Sequence, residues 1–216
     1  MDVLALRQQQ TMTPQLSLCL ATSNQGKLTE YRRLLAGLPI QLISAADLGL
    51  PSPAEARATF VENALDKARA ACMASGLAAL AEDAGLCVPA LGMQPGLHSA
   101  RFAPGTDRDR IDHLLHCMTA LHDDQRCAFF HCTAVLMRHA DDPVPWLVQG
   151  QWHGHMLKTP QGSEGFGYDP VFCGQGCGQR SAAELLPAEK DRLSHRGKAM
   201  RHLRRLLAHA LHQGAW

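Results

Sequence analysis

Near its start the chain passes from a short apolar run, Leu16–Ala21, through a polar turn, Thr22–Lys27, into Leu28, Tyr31, Leu34 and Leu35 at helical spacing. Gly37 and Pro39 stop that stripe. A strand joined so tightly to an amphipathic helix buries its apolar faces only in a layer of helices against a sheet. The rest of the chain continues in kind. Ile40–Ser44 reads as a second strand, and residues 49–58, with Pro51 and Pro53, as a loop. Phe60–Ser75 reads as a helix, with Val61, Leu65, Ala68 and Cys72 on one stripe and Gly76 as its stop. Leu77–Ala81 is a third apolar run, followed directly by Glu82 and Asp83, and Gly85 is expected to turn the chain. Residues 89–106 are broken by Gly and Pro and read as a long ordered loop. Asp107–Leu121 is predicted helical, and Cys127–Arg138 with Val144–Trp152 a hairpin closed by residues 139–143. Ser181 and Glu184 have capping-box spacing. Ser194 opens a last helix with Met200, Leu203, Leu207 and Leu211 on one face. The expectation is a single α/β domain over residues 16–213 behind a loose leader, residues 1–15.

Composition narrows the function. The 21 Lys and Arg against 20 Asp and Glu leave a formal charge of +1, without the basic excess of a nucleic-acid binder. No run of 18 apolar residues spans a membrane, and the polar, Gln-rich first fifteen residues lack the apolar core of a secretory signal. A cytoplasmic protein is expected. Its eight cysteines then stay reduced, and most read as small buried hydrophobes. Cys173 and Cys177, in a glycine-rich stretch, are the one pair placed to meet in a labile disulfide. The 12 histidines show no metal-ligand spacing.

Four polar clusters sit between the periodic segments. The turn Thr22, Ser23, Asn24, Gln25, Gly26, Lys27 feeds a helix N-terminus, where free N–H groups, the helix dipole and an ammonium favour an anion such as phosphate. It is not a Walker loop, which needs Gly at Ala21 and Ser or Thr at Leu28. Glu82 and Asp83, with Glu55 and Glu62 nearby in sequence, suit a Mg²⁺ held by one or two carboxylates and by substrate phosphates, or a carboxylate that takes a proton from water. Gly165, Phe166, Gly167, Tyr168 and Asp169 combine close backbone approach with rings that stack on a flat base. Lys190 with Ser194, His195, Arg196 and Lys198 places cations at a helix start, against the dipole, so an anionic or carbonyl-rich partner is required. Each cluster alone is equally readable as plain architecture: a capped helix, a solvated acidic turn, a buried aromatic turn, a basic face.

Together they resemble one family, the inosine triphosphate pyrophosphatases that remove non-canonical purine triphosphates (dITP/XTP pyrophosphatases). The matching stretches run in the family's order: LATSNQGKLTEYRRLL, TFVENALDKARAA, ALAEDAGLCVPALGMQPGLHSARFA, GFGYDPVF and ELLPAEKDRLSHRGKAM. The resemblance implies a long curved mixed sheet with flanking helices, in two lobes around a central cleft. It implies hydrolysis of ITP, dITP or XTP to monophosphate and pyrophosphate with Mg²⁺, by a homodimer. By matched position, Thr22 to Lys27 hold the triphosphate, Glu55 and Asp83 the metal, and Asp83 accepts the proton of water. Phe166, Gly167, Tyr168 and Asp169 enclose the base, and Lys190, His195 and Arg196 contact it. The family's acidic stretch reads DDSGL. Here Glu82 has a longer arm, and Ala84 lacks a hydroxyl placed near the phosphates, which implies somewhat weaker substrate binding. Two other readings use the same residues: a Maf-like pyrophosphatase for other modified nucleotides, and a non-catalytic nucleotide-binding module.

Overall fold

The computed structural model describes residues 16–213 except 52 and 54; the leader expected at residues 1–15 lies outside them. The first strand, β1, is Leu16–Leu20, and α1 is Gln25–Leu34, capped by the Asn24 side chain, which accepts from the Lys27 N–H. β2 (Ile40–Ser44) follows, then α2 (Phe60–Ser75), which starts on a Thr59 cap and ends at Gly76 in the left-handed conformation that only glycine adopts at no steric cost. β3 (Ala78–Cys87), α3 (Asp107–Cys117), β4 (Cys127–Met137) and β5 (Trp146–Met156) come next. A three-residue β6 (Phe172–Gly174), α4 (Pro187–Leu193) and α5 (His195–Gln213) complete the chain.

The strands form one mixed, curved sheet in the order β2-β1-β3-β4-β5-β6, parallel from β2 to β3 and antiparallel beyond. In the first lobe helices cover both faces. α1 and α5 pack Leu28, Tyr31, Met200, Leu203 and Leu207 on Leu18, Leu20 and Leu80. α2 lays Ala64, Ala68, Ala71 and Cys72 on Cys19, Ala79 and Ala81. A separate core forms the second lobe, where Ile111, Leu114 and Met118 meet Phe130, Trp152, Tyr168 and Phe172.

Several sequence expectations are corrected. Glu82 and Asp83 do not follow a strand and Gly85 does not turn the chain: β3 runs straight through them, because β4 continues the ladder from Glu82↔Ala134 to Cys87↔Phe129. Gly85 is needed instead for close approach, since a Cβ there would strike the Gly96 carbonyl. The hairpin connection spans residues 138–145, longer than expected. The buried Asp142 carboxylate takes the Arg138 and Val144 N–H groups and the Arg138 guanidinium, which ends the ladder early. α3 stops at Cys117, where the Thr119 hydroxyl donates to the His116 carbonyl. Ser181 and Glu184 do form a capping box, but on a single 3₁₀ turn. Cys173 and Cys177 are buried free thiols, whereas Cys117 and Cys127 are exposed.

Candidate active site in the interlobe cleft

Where β1 stops, the sheet opens. β1 pairs with β3 only as far as Leu20↔Leu80, while β3 continues to Cys87. The stretch of β3 edge left unpaired by β1 carries Glu82, Asp83 and Ala84. A crevice beside the end of a parallel pair is the usual ligand address in α/β sheets.

Successive β3 side chains point to opposite faces, so the two acids part company. Glu82 faces α1 and α5. It accepts from Arg196 Nε (2.8 Å) and Nη2 (2.6 Å) and from the Tyr31 hydroxyl (2.6 Å), and Lys27 Nζ lies 2.9 Å from it. Burial opposes its charge, but the Arg196 and Lys27 cations outweigh that and hold its carboxyl well below the usual range. The network continues inward: Arg196 also pairs with Glu30, Glu30 with Lys190 at 2.9 Å, and Lys190 with Asp169 at 2.5 Å. Burial raises the Glu30 carboxyl and the Arg196 and Lys190 charges pull it down further, to about 2. A chain of alternating charges thus links Lys27, in the first turn of α1, to the Gly165–Asp169 loop.

Asp83 faces α2. Asn63 Nδ2 donates to its Oδ2 at 3.1 Å, and Lys67 Nζ lies 2.9 Å from its Oδ1. The same ammonium contacts Glu55 and the Glu82 carbonyl, and Arg101 grips Glu55 from outside. Here burial wins: the Asp83 carboxyl is raised above the ordinary value despite Lys67. Two carboxylates and a carbonyl converge on one positive charge. Hard oxygen donors gathered this way fit a divalent cation such as Mg²⁺, which completes its shell with water and phosphate. Among the described residues there is no group of three or more His, Cys, Asp or Glu for a dedicated metal cage.

On the Glu82 face a cleft is lined by Asn24, Lys27, Ala84, Phe166, Lys190 and His195. Phe166 forms part of its wall. Its ring packs so tightly on Gly26 that a Cβ there would come to 2.5 Å, and it stands 4.9 Å from Lys190 Nζ and 5.7 Å from the Arg196 guanidinium carbon. Tyr168 is buried, its hydroxyl donating to the Ser99 carbonyl, and Asp169 caps the Phe166 N–H at 2.9 Å. His195 stacks on Phe130 with 4.8 Å between ring centres, and its buried Nδ1 has no hydrogen-bond partner. Burial, then the Arg196 charge, keep that imidazole neutral. Thr22 and Ser23 line a neighbouring cavity with Lys67, on the Asp83 side. The Thr22–Lys27 stretch therefore borders two spaces: the cleft with Phe166, Lys190, His195 and Arg196, reached by Asn24 and Lys27, and a largely apolar cavity, reached by Thr22 and Ser23, whose wall includes the Lys67 that holds Glu55 and Asp83. The cationic cluster at the start of α5 finds its anionic partners within the protein, in Glu30 and Glu82.

Lys67, Asn63, Glu30 and Tyr31 complete these two spaces and were not singled out from sequence. Tyr31 sits on the apolar stripe of α1, and only its hydroxyl escapes. Asn63 and Lys67 lie at i and i+4 on α2, a spacing that puts both on one helix face.

The sequence matches the Ham1 family over residues 18–206. It is 47% identical over 190 residues to a dITP/XTP pyrophosphatase of Halorhodospira halophila, covering 87% of this chain and 95% of that one. It is 46% identical over 188 residues to the dITP/XTP pyrophosphatase of Vibrio cholerae, with 85% and 92% coverage. In three dimensions it resembles a HAM1 protein from Coxiella burnetii with a TM-score of 0.83 at 43% identity, over 90% of this chain and all of that one.

Proposed function

This chain belongs to the Ham1 family, and from that premise we propose the reading its site supports: a nucleoside triphosphate pyrophosphatase that hydrolyses ITP, dITP and XTP to the monophosphate and pyrophosphate. The open edge of β3 carries this reading, because there the phosphate turn, the carboxylates and the cationic cleft adjoin.

In this reading the triphosphate lies along the turn Thr22, Ser23, Asn24, Gln25, Gly26, with the free N–H groups of α1 and the Lys27 ammonium countering its charge. Ala84 lies alongside on the β3 edge. Glu55 and Asp83 would hold a divalent metal, Mg²⁺, which when bound neutralises phosphate charge. Asp83 accepts the proton of the attacking water. Its raised pKa supports that role, since a stronger base takes the proton more readily, and Lys67 and Asn63 hold both its oxygens in place.

The base enters the cleft under Phe166, between Gly167, Tyr168 and Asp169 on one side and Lys190, His195 and Arg196 on the other. Arg196 spends three of its five N–H donors on Glu30 and Glu82, which leaves two. With Lys190 and the unpartnered His195, the cleft has donors to spare. A 6-oxo purine accepts from them, whereas the 6-amino group of adenine sets donor against donor, at a cost of about 1–3 kcal/mol. The enzyme would work in the cytoplasm, on the nucleotide pool, as a homodimer.

The test is a panel of natural and deaminated triphosphates with Mg²⁺, scored for pyrophosphate. ITP, dITP and XTP should be cleaved about tenfold or more faster than ATP, by the donor mismatch, and faster than dTTP or UTP. Faster turnover of pyrimidines would replace this reading with a Maf-like one, and binding without product would make the protein a nucleotide-binding module.

A further inference from the structure

The Gly165–Asp169 loop has an anchor that neither the charge network nor the base contacts account for. The Gly167 N–H donates to Asp107 Oδ2 at 2.7 Å, sixty residues away in sequence. Asp107 is the first residue of α3. Its other oxygen, Oδ1, accepts from Arg110 Nη2 at 2.5 Å, and Arg110 Nη1 donates to the Gly105 carbonyl at 2.9 Å. Both Asp107 and Arg110 line the cleft.

Asp107 is not needed as a helix cap. Thr106 and Asp109 already form a reciprocal box: the Thr106 hydroxyl accepts from the Asp109 N–H, and Asp109 Oδ2 accepts from the Thr106 N–H. The Asp107 carboxylate is left to aim outward at the loop. The loop needs holding. Gly165 (φ +78°) and Gly167 (φ +62°) flank Phe166 with the two most permissive backbone positions available, and no strand ladder runs through them. Yet Phe166 crosses to the first lobe and packs on Gly26. Main chain that soft keeps a ring in one place only if it is fixed close by: Asp169 holds the Phe166 N–H from within the loop, and the Asp107 carboxylate holds the next N–H, that of Gly167, from α3.

We propose that Asp107, oriented by Arg110, is a latch that fixes the Phe166 loop over the base end of the cleft, and so is a positioning residue for nucleotide binding and not for the chemical step. The proposal rests on the activity read above, so its experiment has one arm that needs no activity.

In the kinetic arm, Asp107→Ala should raise KM for ITP about tenfold and leave kcat within about twofold, as expected when binding is lost equally from ground and transition states. Asp107→Asn retains an oxygen that accepts from Gly167 and should recover most of that loss. Asp109→Ala removes the α3 cap without touching the loop, and should lower Tm while leaving KM alone. In the second arm, amide hydrogen exchange across residues 163–168 should speed up in Asp107→Ala and stay unchanged in Asp109→Ala, whatever the protein hydrolyses. Unchanged exchange in Asp107→Ala overturns the latch. So does an equal rise in KM in the Asp107 and Asp109 variants, which would reduce Asp107 to a helix residue. If the wild type cleaves no triphosphate while exchange responds as expected, the activity reading fails and the latch stands. Should Asp107→Ala not fold, Asp107→Leu, which keeps bulk and loses the acceptor, and Arg110→Gln decide by the same exchange measurement, with no change in both overturning the proposal.

Discussion

Glu82 and Asp83 are neighbours on one strand, both buried, both carboxylates, and the protein treats them in opposite ways. Glu82 meets two cations and a phenol on the α1 and α5 face, and it stays ionised well below the usual range. Asp83 meets one shared ammonium and an amide on the α2 face, and burial lifts it. The peptide between them is the same; the number of positive charges within reach differs. A saturated carboxylate is a structural brace, and an undersupplied one remains a base. If so, damage to Asp83 removes chemistry and spares the fold, and damage to Glu82 loosens the fold.

The sharpest way to break that contrast is Asp83→Asn. Asn keeps the shape and can still accept from Lys67, while Glu55 continues to neutralise that ammonium. Pyrophosphate release from ITP should fall about 10³-fold, within the range of a lost general base, while the melting point drops only slightly, since the new amide nitrogen meets Asn63 Nδ2 donor to donor. A fully active variant would remove Asp83 from the role of proton acceptor.

Next in size is Glu82→Ala. It strips Arg196 and Lys27 of their shared partner, leaving a buried guanidinium with Glu30 alone. Breaking such a pair costs about 3 kcal/mol or more, read as a lower urea midpoint. The sign with pH follows. Glu82 and Glu30 have depressed carboxyls in the folded state, so their contribution is complete above the ordinary value of 4.5 and fades as pH falls toward about 2, the Glu30 value. Wild type should therefore lose stability through that acid window, and Glu82→Ala should lose less of it. Equal slopes would mean that the network stabilises nothing.

A smaller effect separates the two acids by titration. If Asp83 takes the proton of water as proposed, it works only when deprotonated, and its raised pKa should put the acid limb of kcat/KM above the ordinary aspartate value of 3.8. Lys67 is the main influence pulling that pKa down. Lys67→Met keeps the apolar stem and removes the charge, so the limb should move to higher pH, by about one unit for an opposite charge at contact distance. A limb that stays put assigns it to another group.

Local periodicity makes much of this legible in advance. The Asn24 cap, the bounds of α2 with its Gly76 stop, and the α5 face carrying Met200, Leu203 and Leu207 follow from short-range rules, and the structure has them; but α1 already starts at Gln25, and the buried face of α2 is Ala64, Ala68, Ala71 and Cys72, with Val61 and Leu65 only half-buried. What escapes is the part that depends on a neighbour distant in sequence. Gly85 looks like a turn until β4 is placed beside β3 and the Gly96 carbonyl is seen above it. Tyr31 looks like core because its ring is core; the hydroxyl that reaches Glu82 has no sequence signature. Lys67 is a polar residue on a helix, indistinguishable by period from a solvated one until two carboxylates close on it. The Asp107 bond to Gly167 joins two segments whose spacing carries no motif.

The smallest test concerns Ala84, which shares the Glu82 side of β3 and lines the cleft beside Asn24 and Lys27. The family pattern DDSGL, to which this stretch is similar, would put serine there, which implies one hydrogen bond fewer to the substrate here. Ala84→Ser should restore it. A neutral hydrogen bond contributes about 1 kcal/mol net, so KM for ITP should drop about fivefold, and kcat should not move because the bond is equally available before and during the reaction. The outcome also separates the two faces of β3. A hydroxyl on the Glu82 side that alters KM alone keeps substrate grip on that side and chemistry on the other. A change in kcat would mean that position 84 also senses the reacting phosphate, and that the division between the brace and the base is less complete than the two carboxylates suggest.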